Sequence, residues 1–352
     1  MNALTPLLTV HAADLAADTP RIDAFVRAHP GAEPFHRPQW ITAVERGCRQ
    51  RAHYLIAEEA GGALVGALPL TEMRSFLFGN AMVSAGFATG GGILASTEAG
   101  AAALADAAWR LARGRGCASV ELRGGGVPAG WQRNEGVYAA FSTPAVEDEA
   151  ALLATIPRRQ RAEIRKAFGF GLDVSTGRDA AHVEAFRRVY GESVRNLGTP
   201  VFPAGLFRAM AEGFGEDCDV LLIRKDGRPL AAFFNFYLGD TAFSYWGGGT
   251  AEARRWRAND LVYFEFIRHA ARRGCRTADF GRSKLGTGAC ERKRIWGFEE
   301  RALVYAQRTA EGAASREINP LDPKYQARIA LWRRLPLPLA NALGPLIARG
   351  LG

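Results

Sequence analysis

The run "DFGRSKLGTGACERKRIWGFEE", Asp279 to Glu300, holds four glycines and five cationic side chains. Glycine lets backbone amides come close to a ligand, and lysine or arginine beside it supplies charge, so the composition points to a phosphate. The run is not a nucleotide fingerprint. Gly281 to Gly288 lacks the Gly-Lys-Ser/Thr end of a phosphate-binding loop, and no Gly-x-Gly-x-x-Gly follows a first strand. Other chemistries are poorly supplied. There is no Gly-x-Ser-x-Gly, and the six histidines are scattered, which gives no signal for a serine nucleophile. No His-x-His, His-Glu-x-x-His or Cys/His cluster suggests a metal. His269 falls in an apolar helix pattern and reads as a packing residue.

Each half carries a glycine triplet at the end of a strand-like run, "TGGGIL" (Thr89 to Leu94) and "YWGGGT" (Tyr245 to Thr250). As a pair they read as architecture. The second is flanked by Tyr245 and Trp246 and reads also as a place where backbone approaches a ligand. "RRWRANDLVYFEF" follows, and Asn259 is expected to cap a helix whose first amides face the sheet edge. In acyl-CoA-dependent N-acetyltransferases this turn carries Gln/Arg-x-x-Gly-x-Gly/Ala. Here Arg254, Arg255, Trp256, Arg257, Ala258 and Asn259 stand there, and bulky side chains would crowd a CoA pyrophosphate. Arg158, Arg159, Arg161, Arg165 and Lys166 lie on a helix-like stretch with Ile164 and Phe168 as a narrow apolar stripe. They read either as a solvated face or as a basic rim over a cleft, with Arg158 and Arg161 as anion contacts.

These residues need a frame, and a repeat supplies it. "WRLARGRGCASVELRGG" and "FIRHAARRGCRTADFGRS" each end a helix with a basic turn, then Gly-Cys, then a strand carrying an acid. Gly116 and Gly274, and likewise Glu121 and Asp279, are 158 residues apart. Glycine past a helix end is ordinary capping chemistry, but its recurrence at a domain-sized interval implies duplication. Upstream of each copy come antiparallel strands with turns such as Lys225-Asp226-Gly227-Arg228 and Leu238-Gly239-Asp240-Thr241. The expected fold is α+β, two halves with mixed, largely antiparallel sheets joined by a linker near Ser142 to Glu149. A further helix and a hairpin close the second half.

Composition bounds the rest. At 352 residues with 48% hydrophobic content, the chain fits two domains of ordinary size. A net charge of +9 suits an anionic partner or simply an arginine-rich usage. Five separated cysteines give neither a disulfide framework nor a zinc site. The N-terminus does not resemble a signal peptide, and no apolar run would span a bilayer, so a cytoplasmic protein is expected. The tail from Ile318 onward is amphipathic and Pro-punctuated, and reads as a strap on the body or as a membrane contact.

The motifs "NLGTPVFP" (Asn196 to Pro203), "DFGRSKLGTG" (Asp279 to Gly288), "WGFE" (Trp296 to Glu299), "INPLDPKY" (Ile318 to Tyr325) and "LWRRLP" (Leu331 to Pro336), with "RRQRAEIRKAFGFGLDV", resemble the FemAB family. Within it they are most similar to the FemAB-like proteins associated with exosortase/PEP-CTERM exopolysaccharide systems. The resemblance implies two tandem GNAT-like domains, at 1–145 and 146–315, and a tail at 316–352. It implies transfer of an acyl or aminoacyl group to an amine of a sugar- or lipid-linked precursor, in exopolysaccharide or envelope assembly at the inner face of the membrane. No tightly bound cofactor is implied. The donor is acyl-CoA or an aminoacyl-tRNA, and tRNA is the weaker because the helical arm of some relatives has no counterpart here. An acetyl-CoA-dependent N-acetyltransferase and a non-catalytic module of a polysaccharide-assembly complex are the alternatives.

The family's Phe-Lys-Lys matches Arg292, Lys293 and Arg294, so Lys293 is expected to meet developing charge or the leaving oxygen. Asp279 is a general base for the amine, or an acid that orders the Gly-Arg-Ser turn, with the second reading preferred. Arg282, Ser283 and Lys284 are the expected phosphate contacts, on a sugar-linked, anionic acceptor.

Overall fold

The computed structural model describes residues 8–75, 79–313 and 323–351. In chain order the first elements are β1 (Leu8–Ala12), α1 (Leu15–Ala28), α2 (Pro38–Cys48), β2 (Arg51–Glu59), β3 (Leu64–Ser75), β4 (Gly79–Ser84), β5 (Leu94–Ala95), α3 (Glu98–Gly114), β6 (Ser119–Arg123) and β7 (Gln132–Asn134). Then follow β8 (Tyr138–Pro144), α4 (Glu149–Thr155), α5 (Arg158–Phe168), β9 (Asp173–Gly177), α6 (Ala180–Leu197), α7 (Ala204–Phe214), β10 (Cys218–Lys225), β11 (Arg228–Leu238) and β12 (Thr241–Gly249). The chain closes with α8 (Ala258–Arg272), β13 (Thr277–Lys284), α9 (Gly288–Ile295), β14 (Glu299–Ala302), β15 (Tyr305–Thr309), α10 (Pro323–Arg334) and α11 (Leu337–Ala348).

Two sheets organise these elements, each in its own compact unit. The first has the order β1-β2-β3-β4-β6-β15-β7, with β5 paired to β3; the second runs β14-β8-β13-β12-β11-β10-β9. Among the described residues only β4 with β6, and β12 with β13, pair in parallel. The mixed, largely antiparallel α+β class is therefore what the chain adopts. The repeat also holds. α3 and α8 each run into a glycine in the left-handed region, Gly116 at φ +71° and Gly274 at φ +80°, and then into the strand β6 or β13. The turn at Asp226 and Gly227 has positive φ at both residues, as a two-residue hairpin loop needs.

Two features of chain order differ from the expectation. Ser142 to Pro144 are not linker: they belong to β8, which pairs with β13 and β14. The expected final hairpin does not form either. β14 lies beside β8, whereas β15 lies between β6 and β7 of the first sheet. The units, Met1–Glu135 with Leu303–Ile318 and Arg349–Gly352, and Gly136–Ala302 with Asn319–Ala348, are thus not contiguous as 1–145, 146–315 and 316–352 would be. Local sequence does not encode the pairing partner of a short strand, because an edge can be completed by a strand distant in the chain.

Aromatic side chains cover both faces of the second sheet. One face carries Phe186, Phe207, Phe234, Phe236 and Trp246 in edge-to-face contact, Trp246 lying 5.2 Å from Phe207. The other carries Phe233, Phe266, Phe280 and Phe298 with Tyr263, whose ring stacks on Phe280 at 5.0 Å. Each such pair adds on the order of 1 kcal/mol beyond its area. All five cysteines are buried and unpaired. The tail forms α10 and α11 against α6, interrupted at the Leu335–Pro336 junction. The motif Ile318–Tyr325 falls largely outside the described residues. Among the described residues no helix is long and apolar enough to cross a membrane.

Candidate active site

β12 and β13 pair only from Thr241 to Phe243 against Thr277 to Asp279, and then part. The cause lies in β13. Its register against β8 shifts between Asp279 and Arg282, and Gly281 takes φ +66°, a conformation that a side chain resists. A cavity of about 590 Å³ occupies the wedge so formed. Among the described residues, four cationic side chains line it, Arg254, Arg282, Arg292 and Lys293, and no acidic one does. Among the described residues, the β12 edge beyond Phe243 has no strand partner on that side, so its alternate backbone N–H groups face the wedge.

Lys293 holds the kink together. It is 6% exposed, and its ammonium donates to the carbonyls of Phe280 at 2.6 Å, Gly281 at 3.0 Å and Arg282 at 3.4 Å. It also lies 5.3 Å from the centre of the Phe141 ring. Burial lowers its pKa to about 8, against the pull of Asp279. An ammonium has three donors, and all three are spent on the bulge. Asp279 works on the same kink. Its carboxylate accepts the Gly281 N–H at 2.6 Å, and burial raises its pKa. Asp279 does not line the cavity, so the turn-ordering role is the one its geometry serves.

The remaining expected residues divide. Arg282 lines the cavity with its guanidinium 4.2 Å over the Tyr138 ring. Ser283 also lines it, is 5% exposed, and its hydroxyl has no hydrogen-bond partner. Tyr245 lines the cavity from a bulge where β12 slips its register against β11, and its ring also contacts Phe236 and Trp246; Trp246, one residue on, packs in the aromatic core. Asn259 lines the cavity without capping α8. The N-cap is Arg257, in the left-handed region at φ +57°, and its carbonyl accepts the N–H groups of Asp260 and Leu261. The helix therefore starts before the residue type best suited to cap it. Lys284, Arg158 and Arg161 are outside the lining. Arg161 instead donates to the carbonyls of Ala154 and Ile156 and closes the end of α4, while Arg158 is exposed.

Two lining residues were not singled out as site residues by the sequence. Ser193 and Asn196 of α6 line the cavity, and the glycine triplet makes room for Ser193 and for Asn259. A Cβ on Gly248 would come within 2.2 Å of Ser193 Oγ, and one on Gly249 within 1.9 Å of Asn259 Oδ1. The triplet is therefore architecture and site at once. Arg292, in the family's aromatic position, donates to Asp260 at 2.8 Å and lies 5.6 Å from the Tyr263 ring centre. Its charge is thus matched, while burial raises the pKa of Asp260. His269 is away from the cavity and contacts Asp219 at 2.7 Å, a satisfied packing histidine as its pattern suggested.

Residues 156–294 match the family profile described as the acetyltransferase (GNAT) domain, so the second unit carries an acyltransferase domain. No curated protein matches the chain significantly in sequence. Among solved structures, a crystal structure of FemX aligns with a TM-score of 0.65 at 15% identity, covering 84% of this chain and 96% of FemX. The C-terminal domain of a lysylphosphatidylglycerol synthetase from Agrobacterium fabrum aligns at 0.57 and 14% identity, covering 84% and 93%. A tandem GNAT protein of the clavulanic acid pathway aligns at 0.53 and 15%, covering 88% and 100%. The fold shared with these proteins is the tandem GNAT-like one.

Proposed function

We propose that the second unit transfers an acyl or aminoacyl group to the amine of an anionic, sugar- or lipid-linked precursor. We place the reaction at the inner face of the membrane, in exopolysaccharide or envelope assembly of the kind associated with exosortase/PEP-CTERM systems. The observation that carries this reading is the wedge between β12 and β13, lined among the described residues by four cationic side chains and no acidic one. The amine attacks an ester or thioester carbonyl, the oxyanion forms and collapses, and the leaving oxygen or sulfur departs with a proton. This chain's part is orientation and charge stabilisation. Backbone N–H groups on the open edge of β12 are fixed donors for the oxyanion. Arg282 and Ser283 contact the anionic part of a substrate. Lys293 acts through the bulge it holds, as a positioning residue.

Acetyl-CoA as donor is the second reading, favoured by the description of the matching domain. Against it stand Arg254, Arg255, Trp256 and Arg257, whose bulk occupies the turn where a CoA pyrophosphate would need close backbone approach. The test is direct. Purified protein is incubated with acetyl-CoA, longer acyl-CoAs and aminoacyl-tRNA beside amino-sugar nucleotides, and the acceptor mass is read. A shift that needs aminoacyl-tRNA or a longer acyl-CoA supports the first reading; a shift with acetyl-CoA alone replaces it with the second. A non-catalytic module would give no shift with any donor.

A further inference from the structure

Helix α11 is built inside out. The residues it turns toward the body are small: Ala340, Gly344 and Ala348 are buried, and a Cβ on Gly344 would come within 2.9 Å of Val201. Three of its five large aliphatic residues point the other way, while Leu337 and Ile347 are half-buried. Leu339, Leu343 and Leu346 recur on one helical face and are 46%, 40% and 62% exposed. Leu331 of α10 is 67% exposed. A surface helix ordinarily buries its leucines and shows its small or polar residues, so this face is made to be covered.

Charge indicates what covers it. Residues 323–351 include Lys324, Arg328, Arg333, Arg334 and Arg349 and no aspartate or glutamate. Arg334 is exposed at the α10–α11 junction. We infer that the exposed leucine face of α11, with Arg334 at the α10–α11 junction, docks the protein on an anionic lipid bilayer. A second copy of the chain would bring two acid-free, cationic helix pairs together, which repel. An anionic bilayer accepts both features: the leucines enter the headgroup boundary and Arg334 meets lipid charge. The inference does not depend on the acyl-transfer reading.

The test is flotation of the full chain with vesicles of phosphatidylcholine alone and of phosphatidylcholine with phosphatidylglycerol, at about 0.1 M salt and above. The protein is expected on the anionic vesicles, less so as salt rises. The triple variant Leu339→Ser, Leu343→Ser, Leu346→Ser is expected to lose more than about 10-fold in partitioning, each 10-fold being about 1.4 kcal/mol. Replacing the same three leucines by phenylalanine keeps an apolar face and is expected to keep binding, which separates lost docking from lost folding. Arg334→Gln is expected to weaken binding several-fold. Wild-type protein that stays off anionic vesicles, or a serine variant that binds equally well, overturns the inference. So does a shift from dimer to monomer by light scattering in the serine variant with no lipid binding by wild type, which would make the face a self-association surface.

Discussion

The two units share a wedge and use it differently. In each, the parallel pairing of the two central strands covers three residues, Ala81–Val83 with Ser119–Glu121 and Thr241–Phe243 with Thr277–Asp279. In the first unit the chain itself fills the space beyond. Gly92 N–H donates to Arg123 O at 2.9 Å, and a Cβ on Gly125 would strike Ile93 O at 2.2 Å. The buried Arg123 guanidinium donates to Ala88 O and to Glu121, both at 2.6 Å. In the second unit the position 158 residues on is Gly281, the bulge is held from below by Lys293, and the wedge stays open as the cavity. One duplicated frame therefore yields a plugged copy and an open one. The difference is an arginine that reaches back to its own loop against a glycine that cannot.

Filling the open wedge is the harshest way to break this comparison. Ser283→Leu places an apolar side chain where the unpartnered hydroxyl faces the cavity. Transfer should fall by about 10²-fold or more, since small displacements of bound substrate already cost that much, with little change in Tm. Next comes Arg282→Ala. Losing a charged contact to substrate should cost about 10-fold or more in kcat/KM, mostly in KM, on the scale of about 1.5–3 kcal/mol for a hydrogen bond to a charged group. Lys293→Met leaves three buried carbonyls without their donor and should destabilise by about 1–3 kcal/mol, read by denaturant unfolding.

The pH dependence of Lys293 has a definite sign. Its folded pKa, about 8, is below the unfolded value of about 10.4, so the buried charge costs stability below pH 8. That cost is lifted as pH rises from 8 toward 10.4. Wild-type stability should therefore gain on Lys293→Met across that window. Over the same window the bulge loses its cation, so transfer by wild type should fall relative to Lys293→Arg, whose guanidinium stays charged. The smallest effect on transfer is expected in the plugged copy. Arg123→Ala should cost about 1–3 kcal/mol in stability and change transfer by less than about two-fold.

What could be read from the sequence follows from what is local. The helix, left-handed glycine and strand at Gly116 and Gly274 are short-range chemistry, so the duplication and fold class were legible. Strand exchange was not, because nothing in Tyr305–Thr309 says that its partners are Ser119–Arg123 and Gln132–Asn134. The site was legible by half. Arg282, Ser283, Tyr245, Asn259 and Lys293 do line one cavity. Composition could not say that Trp246 faces the core, that Arg161 closes α4, or that Lys293 spends its protons on three carbonyls. Those depend on a bulge in β12, a helix end and a bulge in β13, all seen only in three dimensions. Ser193 was invisible because the glycine that admits it, Gly248, lies about fifty residues away.

The claim that the open wedge alone is the working one is tested most directly by a hydrogen-exchange footprint. The donor that produces the acceptor mass shift is added to wild-type protein, and backbone protection is mapped. The account predicts slowed exchange at Ser244 to Gly249, at the start of α8 and at Gly281 to Lys284, with Ala85 to Ile93 and Ser119 to Gly125 unchanged. Protection confined to the first unit's wedge, with the second unit's strands exchanging as before, would contradict it.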